Sequence, residues 1–159
     1  MNLVRIALGI TIVFFALRIS FYDLRFHRIR NTDLLVFASL SVTLIGIDSV
    51  LHKRYFQCQK SLIFGALLFV LSFVVYCCFE SSIGAGDIKL LPIVGFDLSY
   101  LTESNPWQAI IWILLCGGLQ GLLGFCRDRT FSQRIAFAPA IFLGSISYFA
   151  AGVWSHLTQ

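Results

Sequence analysis

From residue 61 to residue 79 the chain carries no charged side chain. A run of that length matches the roughly 20 residues that an α-helix needs to cross the hydrocarbon of a bilayer. No water reaches such a segment, so each backbone N–H and C=O has to be paired within it, which a single span achieves only as a helix. Five further apolar runs can be drawn, at about 3–22, 34–51, 88–101, 107–126 and 135–154. The expectation is an all-α integral membrane bundle of six transmembrane helices, forming a single domain over residues 1–159. The fourth run is short, and Pro92, Gly95 and Asp97 are expected to break it.

Composition agrees. Hydrophobic residues make up 58% of the chain and charged residues 13%, against about 25% charged in soluble domains. The net charge is +4, but the basic residues fall between the apolar runs, where they act as topology signals. The expected partner is therefore the lipid bilayer and not nucleic acid. One set of connections carries Arg25, Arg28, Arg30, Lys89, Arg127, Arg129 and Arg134; the other carries Arg5, Lys53, Arg54 and Lys60. The excess of positive charge places the first set in the cytoplasm and both chain ends outside, in an inner membrane. Five cysteines occur without a CxxC pair, beside three histidines. No metal site and no cofactor are expected from that spacing.

Two carboxylates stand out against this background. Asp23 follows the first run, and Asp87 precedes the fourth within "GAGDIKLL". The up-and-down alternation puts both at the cytoplasmic side. Two carboxyl groups brought together share one proton, and such a pair can activate water for hydrolysis. Gly84 and Gly86 are expected to supply backbone angles that other residues avoid, while Ala85 keeps the segment narrow. The plain alternative is that Asp87 caps a helix and that Asp23 is a solvated loop residue.

Three stretches carry a resemblance to a known family. "GAGDIKLL" resembles the GxGD signature of the type IV prepilin peptidases, which are membrane aspartic peptidases. "DLRFHRIRN" is similar to that family's other aspartate stretch, with Asp23, Ile29 and Asn31 in place. "IAFAPAIFLG" resembles its last-helix motif through Phe137, Pro139 and Gly144. Arg30, Ala136 and Ala138 depart from the pattern. The resemblance implies an aspartic endopeptidase that removes the basic leader from type IV prepilin or pseudopilin precursors at the cytoplasmic face. It also implies a catalytic pair of Asp23 and Asp87, with Gly84, Gly86, Lys89 and Asn31 shaping the loop and the substrate site. The N-terminal extension linked to N-methylation in longer members does not precede Asp23, so methyltransferase activity is not expected.

Other groups read less specifically. His27 is near Asp23, Glu80 and Asp128 lie on the same side, and Asp48 is expected at the outer interface. Asp97 marks an early helix end or pairs with a basic group. Gly117, Gly118, Gly121 and Gly124 form a small-residue face expected to pack inside the bundle. The alternative function is a non-enzymatic transport or assembly subunit of a secretion or pilus system. The orientation has a direct check. A cysteine at position 27 should react with an impermeant maleimide only from the cytoplasmic side, and one at position 56 only from the opposite side.

Overall fold

The computed structural model describes residues 3–26, 28–78, 84–102, 105–128 and 137–157, with the side chains at 121, 123–128 and 149–157 outside the description. These residues form six α-helices: α1 (Leu3–Phe26), α2 (Asn31–Leu51), α3 (Tyr55–Cys78), α4 (Ala85–Leu101), α5 (Trp107–Asp128) and α6 (Ala138–Leu157). Three of them, α1, α2 and α3, are long and apolar enough to cross a membrane. The described apolar stretches of α5 and α6, Trp107–Gln120 and Ala138–Tyr148, are shorter.

Several helices outrun their apolar runs. α1 continues to Phe26 and takes in Asp23; α2 begins at Asn31 and α4 at Ala85, ahead of Asp87. Once a helix is started, each added residue gains a backbone hydrogen bond, so the polar flanks stay helical where water and headgroups begin. Both aspartates therefore sit on helices, and neither is a loop residue.

The core is built from one face of α1 (Leu8, Ile12, Phe15 and Ile19), meeting Phe37 and Ile45 of α2 and Leu90, Val94 and Leu98 of α4. The rings of Phe15 and Phe37 stack at 5.1 Å. The opposite face of α1 leaves Leu17 and Phe21 exposed, which suits a helix whose outer neighbours are acyl chains.

α4 is the central element. It packs most heavily on α3 and also touches α1, α2 and α6, and every residue from Val94 to Tyr100 is buried. The expected break does not occur: α4 is one continuous helix with Pro92 inside it. A proline has no N–H, so the carbonyl of Ile88, four residues back, loses its helical partner. The Ser72 hydroxyl of α3, which also donates to Phe69 O at 3.1 Å, lies 3.4 Å from that carbonyl and offers it a shared hydrogen bond, as side chains do for proline-containing membrane helices. Nor does Asp97 end the helix, which runs on to Leu101. Its C-terminal carbonyls are capped by Gln57, whose Nε2 donates to Ser99 O at 2.8 Å and to Thr102 O at 3.3 Å.

Glycines set the closest helix contacts. A Cβ on Gly144 of α6 would lie 2.4 Å from Ile113 Cα on α5, and one on Gly117 would lie 2.4 Å from the Phe137 ring. Gly118 has nothing within 4 Å of that position. The small-residue face of α5 is therefore used at Gly117 inside the bundle, while Gly118 faces open space. Gly144→Ala should lower the stability of the detergent-solubilised protein by about 1–3 kcal/mol, because backbone has to shift. Gly118→Ala should be neutral or slightly stabilising, by up to about 1 kcal/mol. Thermal unfolding of the two variants side by side checks this.

Candidate active site

The last turn of α1 and the first turn of α4 meet at one end of the bundle, and each brings an acid. Asp23 is 5% exposed and Asp87 is 9% exposed. Asp87 stands in the first turn of α4, ahead of its apolar run. Its carboxyl is raised from 3.8 to about 7, first by burial and second by the charge of Asp23; a backbone hydrogen bond from Gly84 opposes both. The electrostatic influence of Asp23 on Asp87 is the mark of two acids held close in a poorly solvated place. Asp87 Oδ1 is buried without a hydrogen-bond partner among the described residues.

Each acid is positioned by groups far away in sequence. The backbone N–H of Ala138, at the start of α6, donates to Asp23 Oδ2 at 3.2 Å. The motif around Phe137 and Pro139 is thus brought against the motif of Asp23. On the other side, the segment linking α1 to α2 folds over the start of α4. A Cβ on Gly86 would lie 2.7 Å from Ile29 Cβ. Lys89 Nζ donates to Asn31 Oδ1 at 3.1 Å. The two aspartate stretches are therefore clasped at two points, one apolar and one polar.

The glycines serve for a different reason from the one expected. No described glycine has a positive φ, and Gly84, the residue before α4, has φ −71° and ψ 137°, open to any residue. What is needed is the missing side chain. A Cβ on Gly84 would lie 2.9 Å from Asp87 Oδ2, and one on Gly86 would push Ile29 away.

All six residues singled out by the sequence, Asp23, Asp87, Gly84, Gly86, Lys89 and Asn31, gather at this end. Asp48, near the end of α2, faces into the bundle: it is 1% exposed and accepts a hydrogen bond from Tyr100. Asp33 was not singled out. It is buried in the first turn of α2 and paired with Arg18 of α1 at 3.1 Å. The signal that marks it is Arg18 itself, a lone cation late in the first apolar run. His27 and Glu80, and the side chain of Asp128, lie outside the described residues. Among the described residues no three His, Cys, Asp or Glu side chains converge as a metal site would require.

Three helices of this length and apolarity suit a membrane protein, and two buried acids lie at one end of the bundle. The family model of the type IV leader peptidases matches residues 10–155, and the chain belongs to that family. No curated protein and no solved structure matches it. At the level of the family, the chain is a leader-peptidase type of protease with a protein substrate.

The raised Asp87 value has a consequence for stability. The fold favours the protonated acid, so its stabilising contribution is complete below about pH 4 and is lost as the pH rises through about 7. The protein should lose up to about 1.4 kcal/mol per pH unit through this group over that window. Asp87→Asn, which has no charge to acquire, should flatten that fall. Thermal unfolding in detergent from pH 4 to pH 8, parent against variant, reads the difference.

Proposed function

We propose that this protein is an aspartic endopeptidase that removes the leader from type IV prepilin-like precursors, with Asp23 and Asp87 as its catalytic pair. What supports the reading is one arrangement: two buried acids, contributed by α1 and α4, close enough that one charge raises the other's carboxyl. A second support is the match to the leader-peptidase family over nearly the whole chain.

In this reading the ionised member of the pair takes a proton from a water molecule. The water oxygen forms a bond to the scissile carbonyl carbon as the C=O π pair moves onto the carbonyl oxygen, which the protonated member's O–H holds until the C=O bond re-forms on cleavage. The protonated member then gives its proton to the amide nitrogen as the C–N bond breaks. Because the two acids are coupled, the titration belongs to the pair and not to either residue. Asp87 Oδ1, with no partner among the described residues, can take a hydrogen bond from that water while the pair shares its proton. Gly84 makes room for the Asp87 carboxyl and Gly86 for Ile29, and Lys89 and Asn31 close the clasp beside them.

The placement follows the charges. Exposed Arg25, Arg28, Arg30 and Lys89 surround this end of the bundle, and the positive-inside rule sets it at the cytoplasmic face of the inner membrane. All six helices then span the bilayer as one domain, and both termini face outward. A precursor whose basic leader lies in the cytoplasm and whose apolar helix lies in the membrane would present its junction at the depth of the two acids.

Co-expression with a prepilin carrying its leader and following helix is the test, read by the gel shift of the processed product. Asp23→Asn and Asp87→Asn should each reduce cleavage by about 10²–10⁴-fold while the protein still accumulates in the membrane. Processing at the parent rate by either variant removes that residue from the mechanism.

A further inference from the structure

Three polar contacts join α2 to α4, and they lie in order along both helices. Lys89 Nζ donates to Asn31 Oδ1 at 3.1 Å, Ser41 Oγ donates to Asp97 Oδ2 at 2.8 Å, and Tyr100 OH donates to Asp48 Oδ2 at 2.6 Å. The partner numbers rise together, so the two helices run parallel, and the contacts form a ladder along their seam. The Ser49 hydroxyl adds a fourth contact at the far end, donating to Tyr100 OH at 3.3 Å. The middle contact is the most enclosed: Ser41 and Asp97 are both fully buried.

From this geometry we infer that Asp97 is a positioning residue, and that its bond to Ser41 fixes the register of α4 so that Asp87 faces Asp23. Apolar packing alone defines helix register weakly in lipid, because one greasy ridge replaces another at little cost. A buried hydrogen bond between side chains is directional, and in hydrocarbon neither partner finds water if it is broken. Asp87 precedes Asp97 by ten residues, about 15 Å and about 80° short of three full turns along a helix. That offset directs Asp97 at α2 while Asp87 addresses α1 and the Ile29 segment. A slip of one residue would turn α4 by about 100° and carry Asp87 out of the pair. The Tyr100–Asp48 contact closes the far end of the ladder and keeps α4 from rotating about the middle rung.

The inference bears on the peptidase reading through Asp87, but its test does not depend on peptidase activity. In the full-length protein with the five native cysteines replaced, Asn31→Cys and Lys89→Cys are joined by a short bis-maleimide, and the rate of linkage reports α2–α4 register beside the acids. Adding Asp97→Leu should slow linkage by at least about threefold to tenfold, the range that interhelical hydrogen bonds in membranes are worth. Asp97→Asn keeps an acceptor for Ser41 at nearly the same volume and should restore the parent rate. On prepilin, with the native cysteines, Asn31 and Lys89 in place, Asp97→Leu should lower kcat with little change in KM, and Asp97→Asn should recover kcat. Should Asp97→Leu fail to accumulate, Ser41→Ala removes only the donor and should slow linkage in the same direction. Linkage at the parent rate in the Leu variant, or in Ser41→Ala, overturns the inference. So does an equal loss in Asp97→Asn and Asp97→Leu, which would mean that the acid acts by its charge. Linkage that depends on Asp97 in a protein that cleaves no prepilin upholds the register and rejects the peptidase reading.

Discussion

A polar group inside this bundle has no water to turn to, and the placement of α4 follows from that constraint. α4 is surrounded by α1, α2, α3 and α6, so its backbone irregularities and its polar side chains need partners from neighbouring helices. Ser72 meets the carbonyl that Pro92 leaves open, Gln57 meets the carbonyls at the C-terminus, and Ser41 meets Asp97. Each of these bonds comes from α2 or α3 and each has a fixed direction. Together they hold α4 in one rotation and at one depth, which greasy packing would leave loosely defined. The position of Asp87, in the first turn of this helix, is a consequence.

The other acid is held by a separate set of contacts. Asp23 sits on the inner face of α1, one turn beyond Ile19, and receives the N–H of Ala138 from α6. An N–H at a helix start has no partner within its own helix, so a carboxylate there satisfies a group that would otherwise be orphaned in a buried place. The α1–α6 contact fixes Asp23, and the α2–α4 seam fixes Asp87. The clasp of Ile29 against Gly86 and of Asn31 against Lys89 then joins the two halves.

Much of this was legible in the sequence, and the parts that were not share a physical cause. Apolar runs locate helices because lipid permits little else, so the helix count and approximate positions could be read directly. The two aspartates could be marked because an acid beside an apolar run is costly and therefore conspicuous. Helix ends were misplaced by up to six residues (α3 begins at Tyr55 and not near residue 61). Hydropathy registers where grease stops, whereas a helix stops where its backbone bonds end. Pro92 was read as a break because a proline's missing N–H is visible in sequence, while the serine that answers it, twenty residues earlier on another helix, is not. The burial of Asp48 and the Ser41 partner of Asp97 are hidden from the sequence for the same reason, since both are properties of neighbours. The glycines of the "GAGD" stretch need no special torsion and make room for neighbours instead, since backbone torsion is a local trait and room for Ile29 is a tertiary one.

These contacts bear on how the proposed chemistry would begin. Drawing Asp23 away from Asp87 would require breaking the Ala138 bond, the Ser41–Asp97 bond or the clasp at Gly86, each of which is buried or closely packed. On the proposed reading the pair would be preorganised, and ordering the two acids would add little to the barrier when a substrate arrives. The cost of entry would then fall on the precursor. Its scissile carbonyl is hidden while the segment is helical, because that oxygen accepts its own backbone bond. The space at positions 84 and 86 is taken by the Asp87 carboxyl and by Ile29, so an unwound precursor backbone would have to reach the acids from another side. In this account selectivity rests on whether a precursor can unwind at its junction, more than on side-chain pockets in the enzyme. The junction between a polar leader and an apolar helix is a place where backbone bonds open at low cost, since water is still within reach on one side.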